Sequence, residues 1–220
     1  MVNRQVNDSY CEFLRKCKIT DTKFLEVGVE LMKFIDRDIA KKRWDQLKYQ
    51  IENEVTVPIR GYGRNAQGSK IYQNLYSELG IKIEIDQANN KFPTRVISEL
   101  SSYSKSASID ENKTSITNYQ VSHIFGRTHN VFCFTAPWNI AYVPKIFDPL
   151  TGHETKGDLK VKFSKLFVNR AHELFGDQIK DFNTIMCAYS SRITDALTEI
   201  DADAKFRANV ESNFSAIPIP

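Results

Sequence analysis

Residues 119–157 read YQVSHIFGRTHNVFCFTAPWNIAYVPKIFDPLTGHETKG, and this stretch decides the fold. Apolar and polar residues alternate over residues 119–124, which predicts a strand that carries His123 at its end. Residues 140–143 form a second short β-like run. Pro144 should end that run, because proline lacks the backbone N–H that a strand ladder needs.

The end of the same stretch predicts the start of a helix. Thr151 precedes Glu154 by three positions, the spacing of a capping box in which the hydroxyl and the carboxylate each accept a hydrogen bond from a free backbone N–H. We therefore expect His153 in the first helical turn. Three of the four histidines in the chain lie between His123 and His153. Histidine is the side chain best suited to exchange a proton near neutral pH, and it is also a common metal ligand.

The order of strand, loop, strand and helix, with His123, Asn139 and His153 along it, resembles the HNH (ββα-metal) nuclease superfamily. The resemblance implies that His123 is the general base, that Asn139 braces the loop or binds a metal ion, and that His153 is a metal ligand. Residues 139–145, NIAYVPK, resemble a stretch of colicin-type nuclease domains. Ser122 stands where many members of the superfamily carry a metal-binding Asp or His.

These residue types suit the hydrolysis of a phosphodiester, which needs a base to activate water and a cation to stabilise charge on the phosphate. The amide oxygen of Asn139 and a ring nitrogen of His153 could hold Mg²⁺, or alternatively Mn²⁺ or Zn²⁺, with water at the remaining positions. The positive end of a helix disfavours a charged imidazole, so a neutral, metal-bound His153 is expected. Arg127 is expected to contact the phosphate near the scissile bond.

The remaining two histidines are weaker candidates. His129 lies in the predicted loop, where it could meet a phosphate. His172 is expected at a solvated helix position.

Residues 58–70, PIRGYGRNAQGSK, are the second informative stretch. Their glycines permit close backbone approach, and Arg60, Arg64 and Lys70 could meet phosphates or guanine edges. A helix that begins at Ser69 would favour an anion at its N-terminus. This stretch is therefore predicted to bind DNA, and a solvated surface turn is the alternative.

Two further lysines, Lys145 and Lys156, are assigned to DNA binding because they lie within the histidine-rich stretch.

Composition limits the class of protein. The chain has 220 residues and a formal charge of +3, so nucleic-acid binding would need a local concentration of positive charge. No segment has the roughly 18 consecutive apolar residues of a membrane span. The four cysteines do not have zinc-ribbon or redox spacing. We expect a cytoplasmic protein with no membrane partner.

The elements predicted around the histidine-rich stretch are mainly helical. They are one helix over 21–52, a helix from Ser69 to Gly80, a strand over 81–85, a helix from Pro93, a loop over 101–117, helices over 159–176 and 179–200, and an extended tail over 216–220.

The sequence therefore predicts an α+β fold with a ββα-metal module over 117–176. A helical region with the basic loop and a short strand over 1–116 precedes it, and a helix and tail over 177–220 follow it, all in one compact unit. The expected function is metal-dependent cleavage of double-stranded DNA by a site-specific, restriction-type enzyme. A homodimer would match the two half-sites of palindromic DNA. The alternatives are a nonenzymatic DNA-binding or regulatory protein, and a toxin-like or RNA-directed HNH nuclease.

Overall fold

The structure is a computed structural model, and it describes residues 8–88, 90–105, 111–152 and 154–220. Within these ranges the chain is an α+β fold in which helices predominate. The helices are α1 (Ser9–Cys17), α2 (Asp21–Leu31), α3 (Arg37–Glu52), α4 (Lys70–Glu78), α5 (Lys91–Leu100), α6 (Asp158–Glu199) and α7 (Ala204–Phe214). The strands are β1 (Val57–Arg60), β2 (Ile83–Asp86), β3 (Tyr103–Ser104), β4 (Thr114–Ser115), β5 (Tyr119–His123) and β6 (Ile140–Pro144).

Strands β5 and β6 form an antiparallel pair that positions His123. In their register Tyr119 lies opposite Pro144 and His123 lies opposite Ile140. The two predicted strands and the end of the second at Pro144 are thus confirmed. All five residues of β6 are buried, which explains why its sequence is an apolar run and not an alternating one.

The other strand pairs are parallel and short. Strand β1 pairs with β2, so that Arg60 lies opposite Asp86. The strand predicted over 81–85 is β2, displaced toward Asp86. Strands β3 and β4 pair within the stretch predicted as a loop, of which residues 106–110 lie outside the described residues.

The prediction of a single helix over 21–52 is wrong, because the chain forms α2 and α3 with a break between them. At the break, the Lys33 N–H donates to the Tyr142 carbonyl over 3.0 Å, and the Tyr142 N–H donates to the Lys33 carbonyl over 2.9 Å. The backbone N–H and carbonyl of Lys33 thus form hydrogen bonds with strand β6, whereas in a continuous helix they would bond within the helix. Asp36 then caps α3 by accepting hydrogen bonds from the Asp38 and Ile39 N–H groups.

Helix α6 is longer than predicted. It begins at Asp158, after Gly157 with a φ of 101°, so the predicted start at Thr151 is wrong. Two helices were predicted with a stop at Gly176, whereas the chain runs through this point as one helix with a local distortion at Phe175 (φ −129°, ψ 22°). Both halves bury apolar side chains against the same core, so the helical path continues across the distortion.

Helix α4 begins directly after Ser69, and Gly80, with a φ of 68°, follows its end as predicted. Helix α5 begins two residues before Pro93, which lies in its first turn. Helix α7 was not predicted. It is capped by Asp203, whose carboxylate accepts a hydrogen bond from the Phe206 N–H.

The core lies where α3, α6 and the loop before β6 meet. The Trp44 ring of α3 contacts the Trp138 ring edge-on, with centroids 5.5 Å apart, and Trp138 also packs against Phe182 of α6. This packing fixes the end of the loop that leads into β6. No helix in the described residues combines the length and apolar character needed to cross a bilayer.

Candidate functional site

An open cleft of about 550 Å³ lies at the end of β5. Strand β1, the segment before α5, strand β5 and the segment after β6 contribute to it. The polar side chains that line it are Arg60, Asn90, Gln120, Ser122, His123, Thr128, Asp148, Thr151 and Glu154. The cleft therefore combines one permanent cation, a histidine and two carboxylates.

His123 is half-buried at the edge of this cleft. Its Nε2 lies 2.9 Å from the Phe134 carbonyl oxygen. A carbonyl only accepts hydrogen bonds, so Nε2 carries the proton and the neutral ring keeps its lone pair on Nδ1. The imidazole also lies nearly parallel to the Phe134 ring, with an interplanar angle of 13°. The loop between β5 and β6 thus sets both the tautomer and the orientation of His123.

The pKa of His123 is lowered from its ordinary 6.5 to about 4, mainly by burial. The hydrogen bond to Phe134 opposes this shift, and the positive charge of Arg60 adds a smaller contribution to it. The ring is consequently neutral at pH 7, which is the protonation state that a general base needs.

Ser122 connects β5 to a carboxylate that the sequence analysis missed. Its hydroxyl donates to Asp148 Oδ1 over 2.5 Å. Asp148 lies in a short 3-10 turn, Asp148–Leu150, which Thr151 closes by donating its hydroxyl to the Asp148 carbonyl. Thr151 is thus occupied in this turn and does not cap a helix.

Glu154 and Asn90 complete the polar lining. The Glu154 carboxylate lies against Gly152, where an added Cβ would come within 2.9 Å of Oε2. Asn90 Oδ1 is buried, and no described residue donates a hydrogen bond to it. Within the described ranges, no three His, Cys, Asp or Glu side chains form a group that could hold a metal ion by themselves. His153, the predicted metal ligand, lies outside the described residues.

Asn139 is a brace for the loop. Its Oδ1 accepts a hydrogen bond from the Phe125 N–H over 2.9 Å, and its Nδ2 donates to the Gly126 and Cys133 carbonyls, each over 3.0 Å. The residue is fully buried and does not line the cleft. Of the two predicted roles, the geometry supports the brace and contradicts the metal ligand.

Arg127 does not face the cleft, which contradicts its predicted contact with the scissile phosphate. Its guanidinium donates to the Ser212 carbonyl, the Ser215 hydroxyl and the Ala216 carbonyl over 2.5, 2.7 and 3.0 Å. Arg127 has a positive φ of 54°, and this local turn directs its side chain toward the end of α7. Its role is to attach the loop to the C-terminal segment.

Of the predicted DNA-binding residues, Arg60 alone lines the cleft. Arg64 is exposed on the glycine-rich loop, and Lys70 is exposed at the start of α4. Lys145, directly after β6, and Lys156, shortly before α6, are exposed as well. Of these five cationic side chains, one therefore lies in the cleft and four lie outside it.

The two remaining histidines have structural surroundings. His129 stacks on Tyr72 with an interplanar angle of 18°, and burial lowers its pKa to about 4. His172 is half-buried and contacts Phe125 edge-on, so its predicted solvated position is wrong. Burial also lowers the pKa of His172. Neither histidine lines the cleft.

A family model described as "Uncharacterised protein PM1201" matches residues 35–219 of this chain. The chain belongs to the PM1201 family. A relative described as "Uncharacterized protein PM1201", from Pasteurella multocida (strain Pm70), is 39% identical over 209 residues, which are 94% of this chain and 92% of the relative. No solved structure gives a significant match. Every cleft residue named above falls within the region that matches the PM1201 family model.

Proposed function

We propose that this protein is a metal-dependent endonuclease that hydrolyses DNA phosphodiester bonds, with His123 as the general base. The hydrogen bond from His123 Nε2 to the Phe134 carbonyl supports the proposal most strongly. It gives a neutral imidazole with a defined tautomer at the edge of an open cleft. The same cleft holds Arg60, a permanent cation suited to a phosphate group.

In this mechanism His123 Nδ1 accepts a proton from water while the water oxygen attacks the phosphorus atom. The bond from phosphorus to the leaving sugar oxygen then breaks, and this oxygen takes its proton from solvent. The Phe134 carbonyl stabilises the imidazolium that forms, because it continues to accept the hydrogen bond from Nε2. Arg60 contacts a non-bridging phosphate oxygen and offsets its charge. Burial keeps the resting His123 neutral, and the charge of Arg60 adds a smaller effect in the same direction because it disfavours a second cation nearby.

The donor chemistry of the cleft fits a hard divalent ion such as Mg²⁺, which is bound through one or two carboxylates and keeps several waters. Asp148 would hold the ion, with Ser122 orienting its carboxylate and with Glu154 and His153 as further candidate ligands. Asn139 is removed from this set, because its amide is already used in the loop. The bound ion would supply positive charge for the phosphate and the leaving oxygen.

We favour a restriction-type, site-specific enzyme that acts on double-stranded DNA as a cytoplasmic homodimer. Helices α1 to α5 precede the β5–β6 pair in the chain. They provide protein surface in addition to the cleft, and this surface is available to read a specific DNA sequence. A two-fold dimer would present one cleft to each half-site of a palindrome.

Supercoiled plasmid incubated with the protein should be cut in Mg²⁺ or Mn²⁺ and left intact in EDTA. Asp148→Asn should raise the Mg²⁺ concentration needed for half-maximal cleavage by at least about 10–100-fold, because this is already the usual effect of losing a group that only orients a metal ligand. Asp195→Asn removes an exposed carboxylate of α6 outside the cleft and is the matched control. Full cleavage by the wild type in metal-free buffer would reject the metal-dependent mechanism.

Arg60→Ala should weaken DNA binding, because one phosphate contact is lost. The salt slope, which is the slope of the logarithm of DNA affinity against the logarithm of salt concentration, should fall in magnitude by about one unit. Arg64→Ala is the comparison, since Arg64 is a cation of the same segment that lies outside the cleft. Both are measured by fluorescence anisotropy of a labelled duplex across a salt series.

The same Arg60→Ala protein gives a second readout without DNA. The pKa of His123, followed by NMR of the ring nitrogens, should rise because the charge that lowers it is gone. An unchanged salt slope together with an unchanged His123 pKa would remove Arg60 from the site.

A further inference from the structure

A second cavity, of about 360 Å³, lies beside the catalytic cleft and contains a half-buried arginine that forms no ion pair with any carboxylate among the described residues. Arg43 of α3 donates from Nη1 to Gln46 Oε1 over 2.9 Å and to Gln50 Oε1 over 3.4 Å. Lys41 and Lys48, on the same helix, instead form ion pairs with Asp45. A partly buried guanidinium is normally paired, so Arg43 stands out.

The polar groups left free in this cavity are mainly donors. Because Gln46 and Gln50 direct their oxygens toward Arg43, their NH₂ groups and the rest of the guanidinium remain as donors. Thr135 also lines the cavity. It is 2% exposed, and its hydroxyl has no hydrogen-bond partner within the described part of the chain.

The charge of the cavity is positive overall. Glu99 is the carboxylate that lines it, and Glu99 is already paired with Arg95 over 2.7 Å. Two arginines against one glutamate leave a net charge of +1. Burial lowers the pKa of Arg43, which means that the guanidinium is partly removed from water. The negative charge of nearby Glu99 opposes this shift. A bound anion would compensate the charge that the protein leaves unpaired.

The residues that line the cavity and those that line the cleft are near neighbours on two segments of the chain. Pro58 lines the cavity and Arg60 lines the cleft, and both lie on one face of β1, about 7 Å apart along the strand. At the start of α5, Asn90 lines the cleft and Phe92 lines the cavity. An anion in the cavity would therefore sit next to a phosphate bound at Arg60.

We propose that the Arg43 cavity is a phosphate-binding site, in which Arg43 supplies the charge and Gln46, Gln50 and Thr135 supply further hydrogen bonds. The phosphate belongs either to the DNA strand that occupies the cleft or to a free phosphate compound. The first source rests on the proposed nuclease function, and the second does not depend on it.

The first arm of the test uses inorganic phosphate alone, titrated by isothermal calorimetry at pH 7 without DNA. Arg43→Gln should weaken phosphate binding by about tenfold or more, as expected for the loss of a hydrogen bond to a charged group. Lys42→Gln makes the same charge change at the neighbouring exposed position and should leave the affinity unchanged. If Arg43→Gln folds poorly, Gln50→Glu replaces it, because a carboxylate beside Arg43 should close the site without changing its shape.

The second arm measures duplex affinity across a salt series in a His123→Ala background. A slope that falls by about one unit in Arg43→Gln, and stays constant in Lys42→Gln, assigns the site to a DNA phosphate. Lost phosphate binding with an unchanged DNA slope assigns it to a free phosphate compound. The proposal is overturned if Arg43→Gln and Gln50→Glu bind phosphate as the wild type does, or if phosphate does not bind and the DNA slope is unchanged. None of these outcomes depends on cleavage, so they separate this site from the proposed catalytic activity.

Discussion

Replacing His123 with alanine is expected to reduce the rate of DNA cleavage by about 10²–10⁴-fold, the usual contribution of a general base. The substitution removes Nδ1, the only ring nitrogen of His123 that the Phe134 carbonyl leaves free. DNA affinity should change little, because Arg60 and the rest of the cleft are intact. Single-turnover cleavage and anisotropy measured on one preparation separate the two effects.

His172→Gln is the matched control, since it alters a half-buried histidine that lies outside the cleft. Its cleavage rate should stay near that of the wild type. A His123→Ala protein that cleaves at the wild-type rate would withdraw the assignment of the base.

The pH dependence of cleavage by the wild-type protein offers an independent check on His123 as the proposed base. Burial and the charge of Arg60 disfavour the imidazolium, so the neutral base should persist as the pH falls below the ordinary histidine pKa of 6.5. If His123 is the base, kcat/KM should therefore decline only as the pH falls toward about 4. An acid limb centred above pH 6.5 would contradict the described environment of His123.

Local sequence patterns predicted the strand that carries His123, its partner strand and helix α4. Strand β5 follows from alternation, strand β6 from an apolar run that ends at a proline, and helix α4 from the glycine at its end. In each case the signal lies within the element, because backbone preference and burial act over a few residues.

Three outcomes that the sequence did not predict share a physical cause, which is pairing between residues far apart in the chain. The break between α2 and α3 depends on Lys33 pairing with Tyr142. Arg127 turns from the cleft because the end of α7 offers it two carbonyls and a hydroxyl. Asp148 becomes a site residue only through its contact with Ser122, 26 positions earlier in the chain. Sequence spacing carries no signal for such contacts.

Asn139 shows how the orientation of His123 depends on the loop between β5 and β6. Its amide holds the Cys133 carbonyl, and the next residue, Phe134, provides the carbonyl that orients His123. Asn139 is therefore a positioning residue. An amide can both accept and donate, and this position uses both abilities at once.

Asn139→Asp should lower the free energy of unfolding by about 1.5–4.5 kcal/mol. About 1–3 kcal/mol comes from the Gly126 carbonyl, which loses its donor, and about 0.5–1.5 kcal/mol from the lost bond to the Cys133 carbonyl, which keeps its hydrogen bond from the Ala136 N–H. The aspartate keeps the oxygen that accepts from Phe125 but cannot donate to Gly126 or Cys133. It also places a carboxylate in a fully buried position. Chemical denaturation with and without Mg²⁺ measures the change.

The same substitution distinguishes a brace from a metal ligand, because the two roles predict opposite results. A ligand would tolerate aspartate, whose charge would tighten Mg²⁺ binding and restore stability when the ion is added. A brace would be lost, and Mg²⁺ would not recover it. Asn65→Asp makes the same chemical change at an exposed position and should alter stability by less than about 0.5 kcal/mol. A stable Asn139→Asp protein with increased affinity for Mg²⁺ would return Asn139 to the metal site and remove the loop brace from the account of how His123 is oriented.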